Sequence, residues 1–291
     1  MTQATALLGL YAQTSVHAGA GSSVGIVDLP IQREGYSQWP CVFGSAVKGA
    51  LRAHLEQQSA DAESIRAVFG PGVGNASEHA GALLVGDARL LLLPVRSLTT
   101  HFKWITCPDA LGRLKRDAMR LDLHEHFAFE VPKTPNDEEA WVSGEAQTLF
   151  LEEYRFAAQQ SNLDAIIESI APLMAREDAE PALKDRLVVV DDDRFTDLAK
   201  HATPVAAHVR LDSQTKTVVP GALWYEETLP PESLLTVALS AGRARWEKSQ
   251  VLADEILDAV LSRMPPERPW LQIGGNETVG MGWCAVSAMR R

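Results

Sequence analysis

Apolar residues recur along this chain with two periods, one typical of strands and one typical of helices. The apolar run from Leu7 to Ala12 predicts a first strand. Ser45 is a suitable N-cap residue for a helix that continues to about Gln57. The apolar stripe of that helix consists of Val47, Ala50, Leu51 and Leu55.

The middle of the chain alternates between clear and weak patterns. Residues 82–98 predict a strand, a break at Gly86 and Asp87, and a second strand that ends near Pro94. The segment of about 109–162 is charged and weakly periodic, so we interpret it as a partly helical insertion outside the core. Apolar positions in 166–174 and 251–260 predict two amphipathic helices.

A hairpin is predicted at about 203–228. Val209 and Leu211 alternate with polar residues, and after a polar turn a return strand starts at Val218. This pattern predicts a protruding hairpin with one polar face. The order strand, helix, strand, strand, helix, strand indicates one α+β domain over residues 1–291, with a ferredoxin-like (RRM-like) fold.

Composition limits the class of protein. The 291 residues are 46% hydrophobic, and no run of about 18 apolar residues predicts a membrane span. The first residues carry no basic segment, so no secretory signal is expected. Three cysteines without a CxxC pair are typical of a reduced, cytoplasmic protein and argue against a disulfide framework or a cysteine zinc site. A net charge of −11 requires any nucleic-acid binding to use a local basic groove.

Two glycine-rich blocks carry the candidate chemistry. Gly19, Gly21 and Gly25 precede an isolated acid, Asp28, and the block 44–52 combines glycines with Lys48 and Arg52 on one helix face. Glycines let backbone N–H groups approach an anion, and helix N-termini attract one. The spacing matches neither a dinucleotide-binding fingerprint nor a P-loop. A surface that grips or cuts a nucleic-acid backbone is a hypothesis that fits this pattern.

Each of these features also has an ordinary structural explanation. A glycine block is often only a tight turn, an acid before Leu-Pro can close a turn, and a lone histidine such as His17 is usually structural. The default interpretation of Glu226 and Glu227 is a solvated hairpin edge. The default interpretation of residues 191–193 is the capped start of a helix. The spacing of His124 and His126 suits a metal only in a strand, which their charged segment does not predict.

Five blocks together resemble the RAMP superfamily, and within it the repeated backbone subunits of type III-B CRISPR effector (Cmr) complexes. Taken in this order they span most of the chain. They are VDLPIQRE (27–34), GSAVKGALR (44–52), VGDARLLLLPVRS (85–97), GALWYEE (221–227) and LQIGGNETVGMG (271–282).

The resemblance implies a ferredoxin-like palm, a fingers-like insertion at about 109–162 and a β-hairpin thumb at about 203–228. In that family, copies stack head-to-tail along a guide RNA together with other Cmr subunits. Each thumb interrupts the guide–target duplex, and the single-stranded target RNA is cut beside it at regular intervals in a metal-dependent reaction. No membrane partner is implied.

The resemblance also assigns residues. The catalytic acid and metal ligand, for Mg²⁺ or Mn²⁺, falls on Asp28. His17 and Glu227 are further candidate catalytic helpers on the residues alone, not through the resemblance. Met281 stands where similar proteins often have a lysine, which places a guide contact there in question. The residues expected to bind RNA are Lys48, Arg52, Ser45, Gly21, Gly274 and Gly275.

Three other functions stay open at this point. A guide-binding scaffold would leave the cutting to another subunit. A nuclease that processes the guide precursor would act without a partner strand and would use histidine rather than a metal-bound acid. A small-molecule enzyme is disfavoured because no cofactor fingerprint is present.

Overall fold

The computed structural model describes residues 3–72, 78–145, 148–246 and 249–291. No helix in these ranges is long and apolar enough to span a membrane. The α-helices are α1 (Gly44–Gln57), α2 (Ala62–Phe69), α3 (Pro108–Arg120), α4 (Asp164–Ile170), α5 (Ala179–Arg186), α6 (Asp192–His201) and α7 (Ala253–Leu261). Short 3-10 helices cover His124–Phe127, Ala171–Met174 and Glu277–Val279. The strands are β1 (Ala4–Ala12), β2 (Cys41–Val42), β3 (Leu83–Val85), β4 (Ala88–Arg96), β5 (Phe102–Thr106), β6 (Glu139–Val142), β7 (Thr148–Leu151), β8 (Tyr154–Gln160), β9 (Leu187–Val189), β10 (Val205–Leu211), β11 (Val218–Glu227), β12 (Leu234–Ala241), β13 (Trp270–Gln272) and β14 (Trp283–Arg290).

One large mixed sheet organises this α/β fold. Its order is β13-β14-β1-β12-β4-β5-β9-β6-β8-β7, with β3 paired to β12 and β2 to β4. The neighbours β14, β1, β12 and β4 are antiparallel, whereas β5 with β9 and β6 with β8 are parallel. The chain thus builds a continuous antiparallel half from its two ends and a mixed half from its middle.

Both faces of the sheet are covered, and β1 shows this most clearly. Leu8 and Leu10 lie in one core with α1, α2 and α7, while Leu7 and Tyr11 lie in a second core with α3, α4 and α5. Successive strand residues point to opposite faces, so a strand buried on both sides is apolar throughout. This explains the unbroken apolar run in the sequence.

The structure corrects the expected boundary of α1. Its N-cap residue is Phe43, and Ser45 lies one residue inside the first turn, so the predicted N-cap is wrong. The carboxylate of Asp87 instead accepts a hydrogen bond from the N–H of Gly44 at 2.7 Å. Gly44 is required there because a Cβ atom would lie 2.6 Å from the carbonyl oxygen of Val85.

Two expectations for the middle of the chain are also corrected. Strand β4 does not end near Pro94 but continues to Arg96, because Pro94 lies beyond Leu92, the last residue paired with β12, and pairs with β5 alone. A proline is tolerated where one side of a strand has no ladder to complete. The segment 109–162 is not wholly outside the core as expected, because it adds buried side chains to both cores, including Leu114 and Phe156.

Strands β10 and β11 form a separate two-stranded hairpin, as the sequence predicts. Many of its apolar side chains are exposed, as suits a protruding hairpin. Val209, Leu211 and Leu223 are each about half exposed. Only the base of the hairpin, at Glu226 and Glu227, is buried against the rest of the molecule. The hairpin therefore leaves the body with a largely apolar and unpartnered surface along the described residues.

Candidate functional site

Four segments that are far apart in sequence meet at the base of the hairpin. The end of β11 forms an isolated parallel bridge with Leu29 and an antiparallel bridge, just beyond the strand, with Val16. The C-terminal glycine loop joins them, because the N–H of Gly275 donates to the carbonyl of His17 at 2.8 Å. The first glycine-rich loop and the C-terminal block 271–282 are therefore neighbours in space.

Asp28 lies on the returning arm of the first glycine loop. The loop closes on itself through the hydrogen bonds of Ala20 N–H with Pro30 oxygen and of Ser23 N–H with Asp28 oxygen, each 2.8 Å. The Asp28 Oδ2 atom accepts the N–H of Tyr225 at 2.8 Å. No described residue donates to Asp28 Oδ1, and the residue is half-buried. One carboxylate oxygen is thus fixed by β11 while the other is open to a ligand.

His17 is buried beside the same strand. Its Nδ1 atom lies 2.7 Å from the carbonyl oxygen of Glu227. A carbonyl can only accept, so Nδ1 carries a proton; in the neutral form of the ring Nε2 is then the acceptor atom. Nε2 faces Gly19, where a Cβ atom would lie 2.9 Å from it. Because Asp28 and His17 are tied to β11 residues two positions apart, their anchor points are separated by about 7 Å of strand.

Glu227 is occupied by protein partners on both oxygens. Oε2 accepts the N–H of Ile31 at 3.1 Å, and Oε1 accepts hydrogen bonds from Arg33 at 2.5 Å and Thr203 at 2.6 Å. Arg33 also donates to the carbonyl oxygen of Ala199 at 2.9 Å. This buried ion pair ties the hairpin base to the site and leaves Glu227 no free oxygen for RNA.

Sequence reasoning missed Asn276. Its side-chain amide donates to the buried carboxylate of Glu226, whose Oε1 also lies 3.8 Å from Nδ1 of His17. Asn276 adopts a left-handed conformation, with φ of 61°, which asparagine tolerates better than most residues. The Sδ atom of Met281 lies 3.5 Å from the same amide. Met281 is half-buried, and its side chain packs against that of Asn276. The only sequence signal was the turn-forming asparagine in GGNETVGMG.

The predicted glycines have different tasks. Gly21 is exposed, with φ of 95° and open space where a Cβ would stand. Gly274, with φ of 89°, packs so closely that a Cβ would lie 2.4 Å from the carbonyl oxygen of His17. The N–H of Gly275 donates to that same carbonyl. The last two glycines hold His17 in place.

The cations of α1 lie at a second location. Lys48 donates from Nζ to the carbonyl of Leu83 at 3.2 Å and is half-buried. Burial lowers the pKa of Lys48, and nearby arginines lower it further. Arg52 forms an ion pair with Glu56 at 2.9 Å and donates to the carbonyl of Gly70 at 3.2 Å. Ser45 is exposed one turn before Lys48 on the same face.

The candidate metal ligands are few. No group of three or more His, Cys, Asp or Glu residues in the described ranges is arranged to hold a metal. His124 and His126 lie in a 3-10 helix and form no such group. The open Oδ1 atom of Asp28 is an oxygen of the type that binds Mg²⁺, which is commonly held by one or two carboxylates with phosphates and water completing the coordination.

Comparison with known proteins agrees with this architecture. The model of the RAMP superfamily matches residues 10–285. The CRISPR system Cmr endoribonuclease Cmr4 of Pyrococcus furiosus is 36% identical over 290 residues, covering 97% of this chain and 94% of that protein. The chain therefore belongs to the RAMP superfamily and, within it, to the Cmr4 family.

Solved structures show the same fold. The crystal structure of oligomeric Cmr4 from Pyrococcus furiosus superposes with a TM-score of 0.75 at 27% identity, covering 100% of this chain and 99% of that one. A chain of the type III-B Cmr-beta complex bound to cognate target RNA, seen by cryo-electron microscopy, gives a TM-score of 0.75 at 19% identity, covering 99% and 97%. At that identity the second likeness concerns the fold alone.

Proposed function

We propose that this protein is a guide-RNA-binding backbone subunit of a type III-B CRISPR effector complex and the endoribonuclease that cuts complementary target RNA. The observation that carries the proposal is the half-buried carboxylate of Asp28, held by the N–H of Tyr225 at the base of an exposed hairpin, with one oxygen free. Membership of the Cmr4 family, with a 36% identical endoribonuclease relative, supports the same activity.

In this proposal the antiparallel strands β14, β1, β12 and β4 with α1 and α7 form a ferredoxin-like palm, because their order corresponds to a split βαβ arrangement repeated twice. The hairpin of β10 and β11 is the thumb, and about 109–162 is the fingers-like insertion. Copies stack head-to-tail along the guide with other Cmr subunits. Base pairing supplies sequence specificity, so the protein holds phosphates and shape.

The thumb would act on the geometry of the RNA. Its exposed apolar side chains, among them Leu211 and Leu223, fit between bases better than against water. Displacing a nucleotide costs a few kcal/mol of stacking, which a rigid hairpin can offset by contact. A displaced nucleotide can bring its 2′-hydroxyl in line with the adjacent phosphate. That places the reacting atoms at the hairpin base, beside Asp28.

Each residue at the hairpin base has a different role in this proposal. As the 2′-oxygen bonds to phosphorus, the bond from phosphorus to the 5′-oxygen breaks. Nε2 of His17 accepts the proton of the 2′-hydroxyl, since Nδ1–H is committed to the Glu227 carbonyl, and the departing 5′-oxygen takes a proton from water. Asp28 Oδ1 would hold a divalent cation, Mg²⁺ or Mn²⁺, which when bound stabilises the charge that develops at the phosphate. Glu227, with both oxygens occupied, positions the strand that carries both groups. Lys48, Arg52, Ser45 and the Gly21 loop would hold the guide backbone.

The test is single-turnover cleavage of labelled complementary RNA by the reconstituted complex. Asp28→Asn keeps the acceptor for Tyr225 N–H but loses the charge, so we expect intact assembly and guide binding with cleavage reduced at least 100-fold. The matched control is Asp61→Asn, because Asp61 caps α2 and asparagine caps equally well. Cleavage retained by Asp28→Asn would assign the chemistry elsewhere and favour the scaffold function. A single 2′-deoxy substitution at a cut site should abolish that cut alone.

A further inference from the structure

A positively charged loop that follows β12 lies beside α1. The N–H of Gly242, the first residue after β12, donates to the carbonyl of Ala82 at 3.1 Å, and Lys48 donates to the carbonyl of the next residue, Leu83. The loop therefore leaves the sheet within one residue of the group that holds the Lys48 ammonium. It carries Arg243 and Arg245, both exposed.

Trp246 anchors this loop to α2 and to the segment that follows it. Its ring stacks on His79, with centroids 5.8 Å apart and planes 12° from parallel, and the Arg66 guanidinium lies 5.0 Å from its centroid. Arg66 is in turn paired with Glu78 at 2.7 Å. Trp246 is half-buried in this stack while its neighbour Arg245 is exposed. The position of Arg245 is thus set by a packed tryptophan next to it.

The charges around α1 are unbalanced. Arg52 has Glu56 as a partner, but no carboxylate of the described residues lies within 4 Å of the charged groups of Lys48 or Arg245. After burial, the charge of Arg245 is the largest influence that lowers the pKa of Lys48, ahead of Arg52 one turn along the same helix. Like charges held together cost free energy that an incoming anion recovers.

We propose that Arg245 is an additional RNA-binding residue, which takes a phosphodiester next to the one held by Lys48. The ligand rests on the proposed function, and RNA is favoured over an acidic protein because the surface is continuous with Lys48, Ser45 and Arg52. The loop also answers the problem posed by the net charge of −11. It concentrates cations at one place, which a protein acidic overall needs in order to bind a polyanion.

The test is the salt dependence of RNA binding by the 291-residue chain. Fluorescence anisotropy with a labelled 20-nucleotide oligouridine, measured from 50 to 500 mM NaCl, gives the slope of log affinity against log salt. Removing one phosphate contact to a single strand reduces the magnitude of the slope by about 0.7. The loss of affinity relative to the wild type is then about fivefold larger at 50 mM than at 500 mM NaCl. We expect this for Arg245→Gln, and we expect Arg245→Lys to retain the wild-type slope because it keeps the charge.

The matched control is Arg155→Gln, an exposed arginine on β8 five strands away from β12 in the sheet, which we expect to leave the slope unchanged. An Arg245→Gln slope equal to that of the wild type would overturn the proposal, and so would unchanged RNA binding with lost association between protein chains. Cleavage by the complex is a separate readout. A nuclease-dead complex with the expected Arg245 effect would contradict only the catalytic part of the proposed function.

Discussion

Glu227→Gln separates a structural from a chemical role for a residue at the centre of the site. The sequence makes Glu227 a candidate catalytic helper, but in the structure both of its oxygens accept from protein donors: the N–H of Ile31, the guanidinium of Arg33 and the hydroxyl of Thr203. The side chains of Arg33 and Glu227 are 15% and 7% exposed. Glutamine keeps the shape and removes the charge, so the substitution leaves a nearly buried guanidinium without its counterion.

Removing one partner of a buried ion pair costs about 3–5 kcal/mol. Arg33 retains hydrogen bonds to the carbonyls of Gln38 and Ala199. The expected loss of stability therefore lies near the lower end of that range. We therefore expect the free energy of unfolding to fall by about 3 kcal/mol. The control Thr203→Ala removes one hydrogen bond to the same oxygen but leaves the ion pair, and should cost about 1 kcal/mol.

Urea denaturation of the isolated chain measures the stability, and cleavage by the assembled complex measures the activity. If Glu227 only positions β11, Glu227→Gln should lose stability and show a modest, roughly tenfold loss of cleavage. An unchanged free energy of unfolding together with cleavage reduced by several orders of magnitude would refute this reasoning. It would mean that Glu227 meets the RNA directly and that the contacts with Arg33 give way in the complex.

Three further predictions follow from the packing around the site. Gly274→Ala should lower the free energy of unfolding by about 2 kcal/mol or more in urea denaturation, because φ is positive and a Cβ would contact the His17 carbonyl. Asn276→Ala should cost about 1–3 kcal/mol, measured in the same way, since it removes a donor from the buried Glu226 carboxylate; a loss below 0.5 kcal/mol would contradict the contact. Burial raises the pKa of the Cys41 thiol to about 12, so a thiol reagent at pH 8 should label no cysteine of the native chain and all three in urea. Since unfolded thiols ionise near pH 9, the part of the stability due to Cys41 is present below pH 9 and declines as the pH rises from 9 to 12.

The elements with strong local patterns could be predicted from the sequence. The hairpin, the helix ending at Gln57 and the α6 start capped by Asp191 all carry their signals within about ten residues. The segment 109–162 could not be assigned to the core in this way. Its strand β6 pairs with β8 and β9, and β8 pairs with β6 and β7, so burial depends on partners that local periodicity does not report.

The candidate site, like the fold, could be predicted from the sequence only in part. Asp28 and His17 stand in glycine-rich segments whose composition already indicates an anion or a close backbone approach. The partners that position them, Arg33 and Asn276, lie 194 and 50 residues from the carboxylates they bind. A buried glutamate needs a hydrogen-bond donor, but the sequence does not show which residue supplies it. The prediction of Ser45 as the N-cap of α1 was wrong for a similar reason. The carboxylate that accepts the N–H of Gly44 belongs to Asp87, which lies between β3 and β4.

The most direct test of the central claim uses complexes assembled from mixtures of wild-type and Asp28→Asn chains. If every copy carries its own cleavage site, complementary RNA should yield an evenly spaced ladder. The single-turnover amplitude at every position should then fall in proportion to the variant fraction. A ladder whose amplitude is independent of that fraction would contradict the claim that this chain, through Asp28, cuts the target.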